Sequence, residues 1–395
     1  MKKRLAQFMI VGSLSTSVLL SSIGTSVANI VLPSIATHFA VSFAAVRWVV
    51  LSYLLATTLF SLMVGYFGDL KGRRRILFFG AGLFFIGTLL TALSYSFEIL
   101  IFSRVLQGVG GAALIVLPMA IATEVVSSEK IGRVIGLLAT MSALGTATGP
   151  SLGGVLLGIY GWSAPFFLVA LLGFLNFLLL MFFLPADGAL VKPHQKGPRT
   201  LEVLASISSD PVLCVRLASN LVVSSVMMAT LISGPFYLAR VLKISPSQMG
   251  LVMSTGPLTS VCFGILSGFF VDRFGVRAIL KFGLFQLMVG AICFAVLPSL
   301  FGAGGFAFSS VMLSIGYQMF LSANSSCIMK KQATDRRGLV SGALSLSRNV
   351  GLMSGTLVLG GIFDRFGLRV TFVVAAVFVF ALFLVQSKIL KKEMV

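Results

Sequence analysis

Twelve apolar stretches separated by short polar turns run through this chain, and each is near the ~20 residues that a helix needs to cross a bilayer. They lie at approximately 8–33, 43–67, 75–95, 98–124, 131–157 and 164–184, then 211–240, 246–270, 276–297, 300–327, 337–362 and 368–387. Several exceed the minimum, as tilted helices that project beyond the hydrocarbon do. Such a chain is expected to be an all-α integral membrane bundle solvated by lipid. Composition agrees, since 57% of the 395 residues are hydrophobic and 10% are charged, against roughly 25% charged in a soluble globular domain.

The formal charge of +19 would suit a nucleic-acid partner if it were gathered on one soluble module, but it is scattered through short loops, so no nucleic acid is expected. Topology explains it better. With the amino terminus in the cytoplasm, that side collects Lys2, Lys3, Arg4, Lys71, Arg73, Arg74, Arg75, Lys130, Arg133, Arg216, Arg273, Arg277 and Lys281 among others, while the opposite side holds Arg47, Arg240, Lys243, Arg365 and Arg369. This is the positive-inside bias, and it predicts both termini in the cytoplasm; the inner membrane is the location expected of the transporter reading reached below. Lys2, Lys3 and Arg4 before an apolar run also fit a cleavable signal peptide, but that run is too long, and its removal would give the wrong parity for the later charges. The four cysteines, Cys214, Cys262, Cys293 and Cys327, fall inside spans without metal-ligand spacing, so neither a disulfide framework nor a metal site is expected.

The chain also repeats itself. Gly65, Asp69, Gly72 and Arg74 recur at identical spacing as Gly268, Asp272, Gly275 and Arg277. Glu129-Lys130-Ile131-Gly132 matches Asp335-Arg336-Arg337-Gly338, Gly145 matches Gly351, and Gly149 matches Gly355. The repeat predicts two pseudo-symmetric six-helix bundles, 1–184 and 211–395, joined by a polar cytoplasmic linker at 185–210 rich in proline, glycine and lysine. In the turn, Gly65 and Gly68 are expected to let helices approach closely and Gly72 to permit a tight backbone, with Asp69 placed to meet a helix N-terminus.

Twelve spans in two halves, with the turn Gly65-Tyr66-Phe67-Gly68-Asp69-Leu70-Lys71-Gly72-Arg73-Arg74-Arg75 between spans two and three, resemble the major facilitator superfamily over essentially the whole chain. The resemblance implies that this loop latches the cytoplasmic gate, engaging the start of the eleventh helix and an acid at the end of the fourth, here Glu124. Leu70 stands where the family commonly has a basic residue. In the fourth span, Arg104-Val105-Leu106-Gln107-Gly108 resembles an RxxQG element of the superfamily. An arginine inside a membrane helix is costly unless solvated or paired, so Arg104 is a functional candidate, with snorkelling or pairing to Glu98 as the alternative.

The fifth span carries Gly145, Gly149, Pro150, Gly153 and Gly154 in the GxxxGPxxGG pattern that resembles the antiporter, exporting branches of the superfamily. Glycines four apart offer a smooth packing face, and Pro150 removes a backbone donor and favours a kink. The stretch from Val27 to Pro33, followed by Arg47 to Leu55, resembles the drug:proton antiporter (efflux) branch, though Gly24, Thr25 and Ser26 stand where those relatives commonly have an acid. All eleven acids fall in loops or near span ends, so no mid-membrane carboxylate stands out as proton carrier. The fold implied by the resemblance lines its cavity with helices one, four, seven and ten, which makes Asn29, Arg104, Gln107, Asn220, Gln318, Asn324 and, from the eleventh span, Arg348 the candidates for substrate or coupling roles.

These readings predict a monomeric secondary transporter that exports a small organic molecule by alternating access, with no cofactor and with the proton gradient as energy source. Two buried arginines, Arg104 and Arg348, without buried acids also suit an anionic metabolite or siderophore. Uptake fits the fifth-span element less well. An enzyme is not expected, because the two histidines, His38 and His194, fall at the outer surface and in the linker and cannot assemble a metal pair or relay.

Overall fold

The computed structural model describes residues 2–126, 128–184, 210–331 and 337–392. Among them there is no strand; the structure is helical with short turns. The first helices are α1 (Lys2–His38), α2 (Trp48–Lys71, entered through a single turn at Phe43–Val46), α3 (Arg73–Ala92), α4 (Phe97–Val125), α5 (Ser128–Tyr160) and α6 (Ala164–Phe183). Then come α7 (Pro211–Phe236, extended by a π turn at Tyr237–Val241) and α8 (Pro246–Phe274).

Two longer helical stretches each contain a break. Val276–Lys331 turns at Gly302, where φ is 56°, into α9 (276–301) and α10 (303–331). The eleventh helix, α11, begins as Arg337–Ser354, passes through a π turn at Gly355–Leu359 and ends at Gly367, φ 76°, beyond which α12 runs 368–392. Among the described residues, ten helical stretches are long and apolar enough to cross a membrane, and dividing two of them at Gly302 and Gly367 gives twelve spans. The turn between spans nine and ten thus falls a few residues beyond the 297–300 expected from hydropathy.

Local chemistry sets these boundaries. Asp210 caps α7, its Oδ1 accepting from the amides of Val212 at 2.9 Å and Leu213 at 3.2 Å, and Pro211 occupies the first helical position, where no amide is needed. Ser96 caps α4 through the Ile99 amide at 3.3 Å. The remainder of the expected linker, 185–209, lies outside the described residues, as does the match of Asp335-Arg336 to the first half; the side chain of Glu129 is likewise not described.

The chain divides into two compact units, Met1–Gln195 with Ser245–Ser254, and Lys196–Ile244 with Thr255–Val395. In the first, α1 packs on α5, α3 on α4 and α6, and α2 on α4. The second repeats the scheme, with α7 on α11, α9 against α10, and α12 against both α9 and α7. Small residues set these approaches. A Cβ on Gly87 would stand 2.5 Å from the Gln107 amide nitrogen, and one on Gly283 would stand 2.6 Å from that of Phe320, so α3–α4 and α9–α10 meet backbone to backbone.

Candidate functional site

The repeated turn is built alike in both units. Gly72 and Gly275 sit at φ 99° and 81°, a region that L side chains rarely adopt. Each ends one helix and starts the next: the amide of Gly72 donates to Gly68 O at 3.1 Å and that of Gly275 to Val271 O at 3.0 Å. Gly68 allows a close approach, with a Cβ there 2.9 Å from Leu117 Cδ2, whereas Gly65 and Gly268 face open space. The expected close-packing role therefore belongs to Gly68 and not to Gly65.

Charges differ between the two copies. In the first, Arg73 is a hub: its Nε and Nη2 donate to Asp69 Oδ1 at 3.0 and 2.7 Å, and its Nη1 donates to Glu124 Oε1 at 2.5 Å and to Ala120 O at 3.4 Å. Asp69, Arg73 and Glu124 thus tie the end of α2 to the end of α4. Arg74, the next residue, reaches the carbonyl oxygen of Met181 on α6 at 3.5 Å. In the second copy, Arg273 lies over the rings of Phe269 and Phe274. The ion pairs found among the described residues both involve Arg73, whose place in the second turn is taken by Val276, Arg277 matching Arg74.

Arg104 is wholly buried. Its Nε donates to Val49 O at 3.0 Å and its Nη1 to Gly24 O at 3.3 Å and to Gln107 Oε1. The guanidinium lies 4.6 Å from the centroid of Tyr53 and 6.0 Å from that of Phe166. One cation therefore gathers α1, α2, α4 and α6 through carbonyls and ring faces, without the Glu98 pair or the snorkelled pose. Gln107 is equally buried, and its Nε2, like Arg104 Nη2, has no hydrogen-bond partner in the structure.

The fifth-span glycines lie against α1. A Cβ on Gly145 would stand 2.5 Å from Leu19 O, one on Gly149 would overlap Ser26 Oγ, and one on Gly153 would stand 2.7 Å from Ile30 Cγ2. Ser26 Oγ donates to Gly145 O at 3.1 Å across this contact. Gly154 and Pro150 face the other way, toward Gly250. In the second unit, Gly351 and Gly355 meet α7 at Leu221 and Ser225, and Ser225 Oγ donates to Gly351 O at 2.8 Å.

The remaining candidates separate by rotation about their helices. Asn29 is buried with its Oδ1 unpartnered. Asn220 is buried, and its Nδ2 donates to Leu344 O at 3.0 Å and Ser347 Oγ at 2.8 Å. Asn324 is buried, its Nδ2 donating to Arg216 O at 3.2 Å. Gln318 is half-buried beside Gly264. Arg348 is exposed, contrary to the expected burial, and among the described residues the second buried arginine is Arg216. Sequence placed Arg216 among the topogenic charges, but it stands more than a turn inside α7, where an ionisable residue is itself a signal. Gln386, whose Nε2 donates to Ser219 Oγ at 2.7 Å, was missed for the same reason, lying at a span end. No group of three or more His, Cys, Asp or Glu that could hold a metal occurs among the described residues.

The model of the Major Facilitator Superfamily matches residues 14–356, with a second match over 218–393. The riboflavin transporter RibZ of Clostridioides difficile is 24% identical over 393 residues, spanning 88% of this chain and 86% of its own. The multidrug resistance protein Stp of Mycobacterium tuberculosis is 27% identical over 394 residues, spanning 85% of this chain and 72% of its own. In fold, the chain resembles the crystal structure of the nucleoside transporter NupG with a TM-score of 0.80 at 13% identity, over 98% of this chain and 99% of that one.

Proposed function

The chain belongs to the major facilitator superfamily, and we propose that it is a secondary active transporter that exports a small organic molecule from the cytoplasm in exchange for protons. It is a multi-pass membrane transporter and not an enzyme. The observation that carries the export reading is the glycine face of α5 on α1, where Gly145, Gly149 and Gly153 bring backbone against backbone beside Pro150. This is the element that the exporting branches share, and it lies where a helix pair with so little side-chain bulk slides at low steric cost. The similarity to a multidrug resistance protein supports the same reading. The residues proposed for substrate contact are Asn29 and Gln107 in the first unit and, taken separately, Asn220, Gln318 and Asn324 in the second, with both termini in the cytoplasm and the transporter acting as a monomer in the inner membrane.

An anionic substrate is the second reading, and Arg104 favours it: the guanidinium is wholly buried and forms no ion pair among the described residues. Flux in inverted vesicles under an imposed pH gradient separates the two. Uptake of hydrophobic cations that collapses when the gradient is dissipated supports proton-coupled multidrug export. Uptake of organic anions alone supports the second reading, and flux independent of the gradient sinks proton exchange.

The Asp69–Arg73–Glu124 bridge is proposed as the gate latch. Its members are partly solvated, so each ion pair contributes roughly 1 kcal/mol or less to stability, and losing one is expected to shift conformational populations more than folding. Asp69→Asn and Glu124→Gln should each insert normally and lower flux severalfold, and the double variant should be no worse than Arg73→Gln, because all three remove the same hub. Additive losses, or parental flux and crosslinking in both single variants, would remove the latch.

A further inference from the structure

We propose that the crevice between the Arg74 end of α3 and the Met181 end of α6 binds an anionic phospholipid. The crevice measures about 170 Å³ and is lined by Arg74, Arg75, Phe78, Phe79 and Met181. Helix periodicity sets its direction. Leu77, Gly80, Ala81 and Phe84 are the buried side of α3, so Arg75 and Phe79, both exposed, stand on the side turned away from the bundle core. On α6, Met181 and its neighbour Phe182 are exposed in the same way. The crevice therefore opens to the surroundings of the bundle, which for these helices are lipid.

Its two ends have different chemistry. At one, Arg74 and Arg75 bring two guanidiniums to the first turn of α3, a turn that contains no acid. Neighbouring Arg73 is directed elsewhere, to Asp69 and Glu124. At the other end the wall is apolar. The rings of Phe78 and Phe177 meet at 4.3 Å, and Phe85 and Phe174 at 5.3 Å, which closes the α3–α6 seam and leaves Phe79 and Met181 as its outer flanks.

A ligand that satisfies both ends carries a phosphate and hydrocarbon in one molecule. A soluble anion would use the arginines but gain nothing from Phe79 and Met181. A choline lipid would bring its own cation to two guanidiniums. A lipid such as phosphatidylglycerol matches the charge through bidentate arginine–phosphate contacts and the wall through its acyl chains. Positive-inside charge explains why arginines stand at this end of the helix; it does not explain an aromatic-floored crevice beside them.

The full chain is tested in detergent micelles doped with phosphatidylglycerol or with phosphatidylcholine of matched acyl chains, and bound lipid is counted by native mass spectrometry. Phosphatidylglycerol is expected to be retained about tenfold better. Arg74→Gln with Arg75→Gln should bring its retention down to that of phosphatidylcholine, while Arg273→Gln with Lys281→Gln, which removes equal charge elsewhere, should not. If the first double variant does not fold, Arg75→Gln and Phe79→Ser, both at exposed positions, should each lower retention about threefold. Equal retention of the two lipids by the parent, or undiminished phosphatidylglycerol in the arginine variants, overturns the proposal. Complete displacement of phosphatidylglycerol by millimolar inorganic phosphate overturns it too, since a site for the anion alone would then suffice.

Discussion

Arg104→Lys is expected to insert into the membrane, to unfold at lower temperature than the parent and to lose at least about tenfold of its flux. Charge is conserved by this change, so the loss comes from shape. The guanidinium spans Val49 O on α2 and Gly24 O on α1 while it also holds Gln107 Oε1. A lysine ammonium is a single point on a flexible stem, and cannot reach acceptors on separate helices together. Each buried acceptor left without a donor costs about 1–3 kcal/mol. The ring contact to Tyr53 at 4.6 Å is lost as well. Thermal unfolding in detergent and vesicle flux, measured on the same preparation, check the expectation. Parental values in both would show that the four-helix junction at Arg104 is dispensable.

Gly149→Leu should be nearly as damaging, and Gly136→Leu on the same helix should not. At Gly149 the first added carbon already overlaps Ser26 Oγ and stands 2.8 Å from Ser26 Cβ and 3.2 Å from Val27 N. The last of these is backbone and cannot rotate away, so α1 and α5 must separate. Overpacking of this kind costs about 1–3 kcal/mol in cores that can adjust. At Gly136, which is exposed, a Cβ meets nothing within 4 Å. Expression, unfolding temperature and flux should therefore fall for Gly149→Leu and stay near the parent for Gly136→Leu. Equal behaviour of the two would mean that the glycine face is not the contact on which transport depends.

The residues that fix helix existence were legible in the sequence, because hydropathy and turn chemistry act along the chain. Asp210-Pro211 and Ser96 start helices where a cap and a proline predict a start. What the sequence left undecided was rotation about each axis. Residues advance about 100° per step in a helix, so three consecutive arginines point three ways: Arg73 meets Glu124, whereas Arg74 reaches the Met181 carbonyl. Arg348 and Arg216 show the same limit. Each stands inside a helix, yet Arg216 turns toward the interior and Arg348 does not. Depth along the axis is written in the spacing of apolar residues, whereas azimuth is decided by neighbouring helices that the local sequence does not contain. Gly65 and Gly68, three apart in one motif, divide for the same reason between open space and a contact with Leu117.

The repeated turn has a bearing on how the two halves can drift after duplication. Backbone geometry binds Gly72 and Gly275 alike, since both sit where a side chain would be strained. The ion pairs of the described residues, by contrast, belong to the first copy. Glycine is thus held in both copies by local geometry, while among the described residues the acid is held by a partner, Arg73, in the first. The second copy's Asp272 is free to be exchanged for a neutral residue of similar size at little cost to its own turn, and relatives of this chain should vary there sooner than at Asp69. A gene doubled in length has in this way kept two hinges, with the Arg73 clasp built on the first.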